Sequence, residues 1–508
     1  MRFEMLADLV CSDDIKDPKV VDEAFEGTEE LLQKGVPKGE EGAKIASYSV
    51  LGNKITVELI SGRYARCHDA ILRINKHLSS ILGRGLKIGI RTIEVKSYEI
   101  WYDLEEEPLE GLSLPFVEKL DIEGKKAHLV LKDINQEALE RNYVDRLLKR
   151  LDEKVKQQHV SGKVGFVNTV ETSKPRLKKY KMKEDPTEVL IKRNWVRRAG
   201  SGVWTVLPPY AALWRAIESL VFDVIAKPLG FQELLLPKII SLDIQKRKGQ
   251  LGGIPNEIWW VCPPKTRDPK EWEEYTDYVK ITGEKNPNML MANLGNPEFS
   301  LAYAQCEPFY DLWRGKVIDR EKLPLKFIDN YGPTWRYESG GLKGLERLNE
   351  FKRMELAWIG SPEDAIKIRD KVRDLSVKII DEIFDLEWKV DATTAIYMEH
   401  GGGIMEGEDR EYIRTYDLTI LLPFETMSRP EKELEIASFH VHEDFYAKNF
   451  SWKERKNRTL WSGCTGISPT RWAYVFLLRH GFDYDSWPKE IKRYIGDELP
   501  TLPDGLFV

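Results

Sequence analysis

The side chains best placed for chemistry lie between Leu325 and Gly360. β-branched and aromatic residues concentrate around Phe327–Glu338 and again around Phe351–Ile359. A glycine-rich stretch, Ser339-Gly340-Gly341 and then Gly344, separates the two runs, a strand–loop–strand pattern. Side chains alternate faces along a strand. Arg336 and Glu338 are therefore expected on one face of the first strand, and Phe351, Arg353 and Glu355 on one face of the second. Turned into one cleft, they supply guanidinium groups for phosphate, a carboxylate for an exocyclic amine and a ring for base stacking. That set suits a nucleotide. The same spacing also fits a plain hairpin with one solvated charged face.

The elements that must position this hairpin can be read in chain order. Residues 1–165 form an α+β pattern. Ile45–Ile60 is a hairpin turning at Gly52-Asn53, and Arg63–Leu82 is a helix ended by Gly83-Arg84-Gly85. Leu86–Leu104 and Ala127–Leu131 are strands. A helix capped by Asp133 or Asn135 follows, with the stripe Leu139, Tyr143, Leu147, Leu151 and Val155 at i, i+4 spacing. Lys174–Arg198 holds ten Lys or Arg against three acids, a net of +7, and reads as a basic join along which RNA could pass. Tyr210–Lys227 is a helix, and Phe231–Ile240 is a strand interrupted by Pro237. Residues 245–300 are rich in Gly, Pro, Asn and Trp and are expected to be loop-heavy, with the character of a lid. Ser361-Pro362-Glu363-Asp364 starts a helix to about Phe384. Thr415–Leu422 and Glu433–Val441 are strands. Ser468-Pro469-Thr470-Arg471 opens a helix directly after Gly463 and Gly466, which makes an anion site at its N-terminus.

Composition sets the outer bounds. The chain has 508 residues, enough for about two to four domains. Fifteen tryptophans and twenty tyrosines argue against long disorder. A net charge of −6 does not announce a nucleic-acid binder, although charge is unevenly spread. No basic segment leads into a long apolar run at the N-terminus, and no run approaches the ~18 residues of a membrane span. Five scattered cysteines without C-x-x-C make a disulfide framework improbable. The expected location is cytoplasmic, with no membrane partner.

Three pieces fall in the order of the class II aminoacyl-tRNA synthetases, which the chain resembles. The helix and strand over 209–237, ending at Pro237, resemble the first motif, which lies at the dimer interface of that class. Arg336-Tyr337-Glu338 with Arg347-Leu348-Asn349-Glu350-Phe351 resembles the second, and Gly463…Gly466…Arg471 the third. Glu435–Asn449, EIASFHVHEDFYAKN, is similar to the strand that precedes the third motif in seryl-tRNA synthetases. Residues 1–165 lack the heptads of the long coiled-coil arm of the common seryl enzymes. That departure, with Cys306, Glu355 and Cys464, resembles the methanogen-type seryl-tRNA synthetases.

The resemblance implies an α+β fold: a class II antiparallel sheet flanked by helices over 185–508, an N-terminal α+β tRNA-binding domain over 1–165, and a basic linker over 166–184. It implies a homodimer that activates L-serine with ATP and passes it to tRNA(Ser), with tRNA(Sec) left open. It also implies one zinc ion per subunit on Cys306, Glu355 and Cys464; by themselves, gaps of 49 and 109 residues fit no zinc-finger spacing. Serine contacts carried over are Ala304, Arg336, Arg353, Met354 and Glu355. ATP contacts are Arg336, Tyr337, Glu338, Arg347, Leu348, Phe351, Glu435 and Arg471, with Mg2+ on Glu435; the catalytic set is Arg336, Glu338 and Arg471. Met398–Glu406 matches a family element near the pocket. For tRNA, charge alone selects Arg63, Arg66, Arg73, Lys76, Arg84 and Arg91. Alternatives are a ligase loading a carrier protein, an inactive RNA-binding paralogue, and threonine as the substrate.

Overall fold

A computed structural model describes residues 1–159, 167–393, 413–425 and 432–502. The Met398–Glu406 element lies outside the described residues. The chain divides into two compact units, Met1–Val164 and Gly165–Val508.

The first unit is built on six strands: β1 (Arg2–Cys11), β2 (Lys44–Leu51), β3 (Lys54–Ser61), β4 (Ile90–Asp103), β5 (Val117–Glu123) and β6 (Lys126–Leu131). They pair antiparallel in the order β2-β3-β1-β4-β6-β5. β1 is central, and its alternate residues Phe3, Met5, Ala7 and Leu9 are buried. The helix Cys67–Gly85 covers them with Ile71, Ile74, Leu78 and Leu82. It runs through Gly83-Arg84-Gly85 instead of stopping there, because a glycine costs a helix only about 1 kcal/mol and the packing of Leu78 and Leu82 outweighs that. The helix expected after Asn135 is two helices, Gln136–Glu140 and Tyr143–His159. Asn142, at φ 55°, breaks the helical path between them. The apolar stripe survives the break, with Leu139, Leu147, Leu151 and Val155 all buried.

The second unit is organised by an eight-stranded sheet. Its strands are β7 (Val167–Thr172), β8 (Gln232–Glu233), β9 (Leu325–Asp329), β10 (Met354–Gly360), β11 (Trp388–Thr393), β12 (Thr415–Leu421), β13 (Glu433–Glu443) and β14 (Trp461–Ile467). The order is β8-β9-β10-β14-β13-β12-β11-β7, antiparallel throughout except between β8 and β9. Every residue of β10 is buried, as a strand covered on both faces requires. Met354, Leu356 and Trp358 face the larger core, which includes Val372 of the helix Pro362–Lys378 and most of the helix Pro469–His480. Ala357 and Ile359 face a smaller aromatic cluster with Cys306, Tyr310, Tyr446 and Cys464. Ser361 and Asp364 form a reciprocal cap that starts the helix Pro362–Lys378.

Three expectations are corrected here. The described part of the expected basic linker, 167–184, is tied to the eight-stranded sheet: β7 pairs with β11, and Arg176 is held by Asp381 at 2.7 Å. Phe231–Ile240 is not one strand; it splits into β8 and Ile239–Ser241, with exposed Pro237 between them, because proline cannot donate to a ladder. Residues 245–300 are less loop-heavy than expected, since the short helices Leu242–Lys248, Gln250–Gly253, Glu273–Thr282 and Pro287–Asn293 punctuate them. Ser241 and Asn286 accept from backbone N–H groups as helix caps. Among the described residues, no helix is long and apolar enough to cross a membrane.

Candidate active site

The expected hairpin is shorter and more broken than its sequence pattern. The first strand ends at Trp335 and the second splits at Arg353, into Glu350–Lys352 and β10. Arg336, Tyr337 and Glu338 therefore lie beyond a strand end, held by backbone bonds rather than by a ladder. Arg336 N donates to Asn349 O at 3.0 Å, Tyr337 N to Glu257 O at 2.9 Å, and Glu338 N to Asn349 Oδ1 at 3.0 Å. Strict alternation fails here because a loop replaces the pleat.

The Arg336 guanidinium lies 4.5 Å above the Tyr303 ring, and its Nε is 3.8 Å from Glu257 Oε2. Tyr303 OH donates to the same carboxylate at 2.7 Å. Neither Tyr303 nor Glu257 has a local sequence signal, since both are distant in the chain and belong to no spacing pattern. Glu338 Oε2 is 2.7 Å from Arg347 Nε. Arg353 stacks over Phe351 at 5.4 Å and reaches Glu355 Oε2 at 3.7 Å. Leu348 is buried. Tyr337 is exposed, with Trp259 edge-on at 5.6 Å.

β14 and the helix after it complete the site. Ser468 Oγ accepts from Arg471 N and caps the helix. Arg471 Nη1 donates to Glu435 O at 2.7 Å, and its Nε to Glu346 O at 3.4 Å. Glu435 Oε1 accepts from Ser438 Oγ at 3.1 Å. Opposite Ser438 on β12 stands Asp417, whose pKa is raised well above its ordinary value by burial and then by the Glu435 charge. A second carboxylate crowded against Glu435 is a donor set that a hard divalent cation such as Mg2+ would relieve.

Cys306, Glu355 and Cys464 come from three separate elements: a turn before the helix Glu307–Leu312, β10 and β14. Their donor atoms all lie within 4.8 Å of one another, and all three side chains are buried. Among the described residues, Glu355 Oε2 has no hydrogen-bond partner. The Cys464 thiol is pushed well above its ordinary pKa by Cys306, by burial and by the Glu355 carboxylate. Two thiols and a buried carboxylate whose Oε2 has no hydrogen-bond partner among the described residues are the donors that zinc accepts. Gly466 leaves room for this arrangement: a Cβ there would sit 2.9 Å from Arg353 Cδ and 3.2 Å from Glu355 Oε2.

Ala304 is buried two residues before Cys306, and its N–H donates to Glu307 Oε1 at 3.3 Å. Glu307 in turn pairs with buried Lys248 at 3.1 Å, a support the sequence did not suggest. Met354 departs from the expected serine contacts. It points away from Glu355 into the core, so only its backbone can border a pocket on that side.

In the N-terminal unit, Arg63, Lys76, Arg84 and Arg91 are exposed. Arg66 and Arg73 are structural instead. Arg66 pairs with Asp145 and lies 5.4 Å above Phe3, while Arg73 donates to Leu31 O and to Lys34 O at 2.8 Å. Charge alone cannot separate these two from the exposed cations.

Comparison with known proteins fits this geometry. Residues 1–153 match a tRNA-binding domain family, and residues 292–477 match the tRNA synthetase class II core domain (G, H, P, S and T). The type-2 serine–tRNA ligase of Methanopyrus kandleri is 35 % identical, over 99 % of this chain and 98 % of its own. That of Methanocaldococcus jannaschii is also 35 % identical over the same shares. A solved structure of M. kandleri SerRS in complex with A. aeolicus tRNASec superposes with a TM-score of 0.86 at 34 % identity, covering 99 % of both chains. The chain belongs to the type-2 serine–tRNA ligase family and is a class II aminoacyl-tRNA synthetase.

Proposed function

We propose that the protein forms seryl-adenylate from L-serine and ATP at this site, then transfers serine to the 3′ end of tRNA(Ser). The observation that carries the reading is the convergence of Cys306 with Glu355 and Cys464 beside Arg353, the last two ligands on the β10–β14 pair that borders the nucleotide-binding motifs. The complex of the M. kandleri relative with tRNASec supports extending the acceptor to the selenocysteine tRNA.

Cys306, Glu355 and Cys464 would hold one zinc ion per subunit, which when bound would supply a Lewis acid able to accept a neutral amine. Ala304, Arg353 and the backbone of Met354 border the place left for serine. Arg336 meets the α-phosphate, where charge grows as the serine carboxylate attacks and pyrophosphate leaves. The attacking carboxylate is already ionised near neutral pH, so no general base is needed. Glu338 receives the adenine amine, and Phe351 and Arg471 take the two faces of the base. Tyr337, Arg347 and Leu348 border the nucleotide, and Glu435 would hold Mg2+ against the phosphates. Catalysis is then placement and charge.

The N-terminal unit reads the tRNA, with Arg63, Lys76, Arg84 and Arg91 available to phosphates. Pro237 marks the face through which two copies pair. Pyrophosphate exchange across a panel of amino acids, followed by charging of tRNA(Ser), tests the reading. Exchange with threonine but not serine would overturn the substrate, and serine exchange without tRNA charging would favour a carrier-protein ligase.

A further inference from the structure

β13 and β14 do not run in even register behind the metal-ligand cluster. His440 pairs with Cys464, and Val441 with Gly463, but the next pair is Glu443 with Ser462. One extra residue, His442, is inserted at this bulge, with Glu443 at φ 52°. Bulges beside functional sites re-aim a side chain. Here the bulge brings His442 Nε2 to 3.6 Å from Cys464 Sγ. The ring is 2 % exposed, and its other nitrogen, Nδ1, lies 3.1 Å from Tyr310 OH and 3.3 Å from Ser462 Oγ. Tyr310 stacks on Tyr446 at 4.1 Å, and Tyr446 packs edge-on to the His442 ring at 4.8 Å. The imidazole is thus fixed from three sides. Among the described residues the converging donor set is Cys306, Glu355 and Cys464, so His442 stands behind Cys464 rather than among the ligands.

We propose that His442 is a positioning residue for Cys464, donating Nε2–H to its sulfur and aiming that sulfur at Cys306 and Glu355. A metal-bound cysteine sulfur has no proton to give and can only accept. Nε2 must then carry the hydrogen, and either hydroxyl at Nδ1 can donate to the lone pair left there. Groups that orient a ligand in this way typically contribute 10–100-fold to metal affinity. The inference rests on the zinc reading of the three ligands.

The test is zinc affinity of the full-length protein, by competition with a chromophoric chelator, together with the sulfur-to-metal charge-transfer band of the Co2+-loaded form. His442→Leu is expected to weaken zinc by about 10–100-fold and move the band to lower energy. His442→Gln, whose amide N–H can reach the Nε2 position, is expected to recover most of both. Tyr310→Phe keeps the stacked ring and is expected to weaken zinc by a smaller factor. Affinity and band position unchanged in His442→Leu, or a Gln variant no better than Leu, would overturn the role. Should His442→Leu fail to fold, the Gln and Tyr310→Phe variants decide alone: wild-type affinity in Tyr310→Phe together with a loss in His442→Gln contradicts the proposal. A wild-type chain that takes up no zinc overturns the metal reading itself. Normal zinc in every variant leaves that reading standing and removes only His442.

Discussion

Glu338 and Arg347 hold each other across the loop between the two halves of the nucleotide motif, with Arg347 Nε 2.7 Å from Glu338 Oε2. The carboxylate is nearly covered, at 9 % exposure, while the guanidinium is 43 % exposed. The pair therefore orders the group that receives adenine and leaves its partner able to turn toward phosphate. Arg347→Ala removes both contributions. KM for ATP is expected to rise about tenfold with a smaller fall in kcat, because uniform binding is lost more than transition-state binding. Exchange kinetics at varied ATP measure this, and an unchanged KM would remove Arg347 from the nucleotide site.

Arg336 is positioned by Tyr303 and Glu257 rather than by a strand, so its geometry depends on contacts that lysine cannot reproduce. Arg336→Lys is expected to lower kcat by roughly 100–1000-fold, the usual cost of a lost group aimed at developing charge. Thermal stability should change little, since the side chain is half-buried. A large loss of melting temperature with kcat intact would make Arg336 structural.

Gly466 should not tolerate a methyl group. The Cβ of Gly466→Ala would meet Arg353 Cδ at 2.9 Å and Glu355 Oε2 at 3.2 Å. Arg353 and Glu355 must shift together, so serine KM is expected to rise about 10–100-fold while KM for ATP moves less. Equal effects on both substrates would show a general distortion instead.

A pH dependence follows from Arg176. Burial opposes ionisation of Asp381, but hydrogen bonds from Arg176 and Trp388 prevail and hold its pKa below the ordinary 3.8. A carboxylate depressed in the folded state adds stability above its unfolded pKa and loses it as pH falls through the folded one. Arg176→Ala is therefore expected to lower the melting temperature of this unit by roughly 1–3 °C at neutral pH. The difference should begin to narrow as pH falls below about 4 and shrink further toward the folded-state pKa. A gap that does not narrow with falling pH would assign the effect to packing.

Local signals carried far in this chain. The turn at Gly52-Asn53, the capping box at Ser361, the cap at Asn135 and the helix after Ser468 all form where their residue types indicate. Each is decided within about four residues. The order of the three motifs likewise identifies the fold without any distance information.

What the chain order concealed depends on contacts between remote segments. Cys306, Glu355 and Cys464 lie on three elements, and only the pairing of β10 with β14 brings the last two together. The basic run 174–198 reads as a polyanion contact, yet Arg176 and Lys179 are engaged with Asp381 and Asp385. Opposite charges some 200 residues away absorb what a local window counts as excess. His442 belongs to the same class, since its role comes from a bulge that no spacing rule marks.

The central claim is that Cys306, Glu355 and Cys464 form a metal site on which serine activation depends. Serine-dependent ATP–pyrophosphate exchange on the wild-type chain and on Cys306→Ala, with metal content determined on both, tests it most directly. The expected result is serine-specific exchange with about one zinc per chain, both lost in Cys306→Ala. Serine exchange that persists at the wild-type rate in a zinc-free Cys306→Ala protein would contradict it.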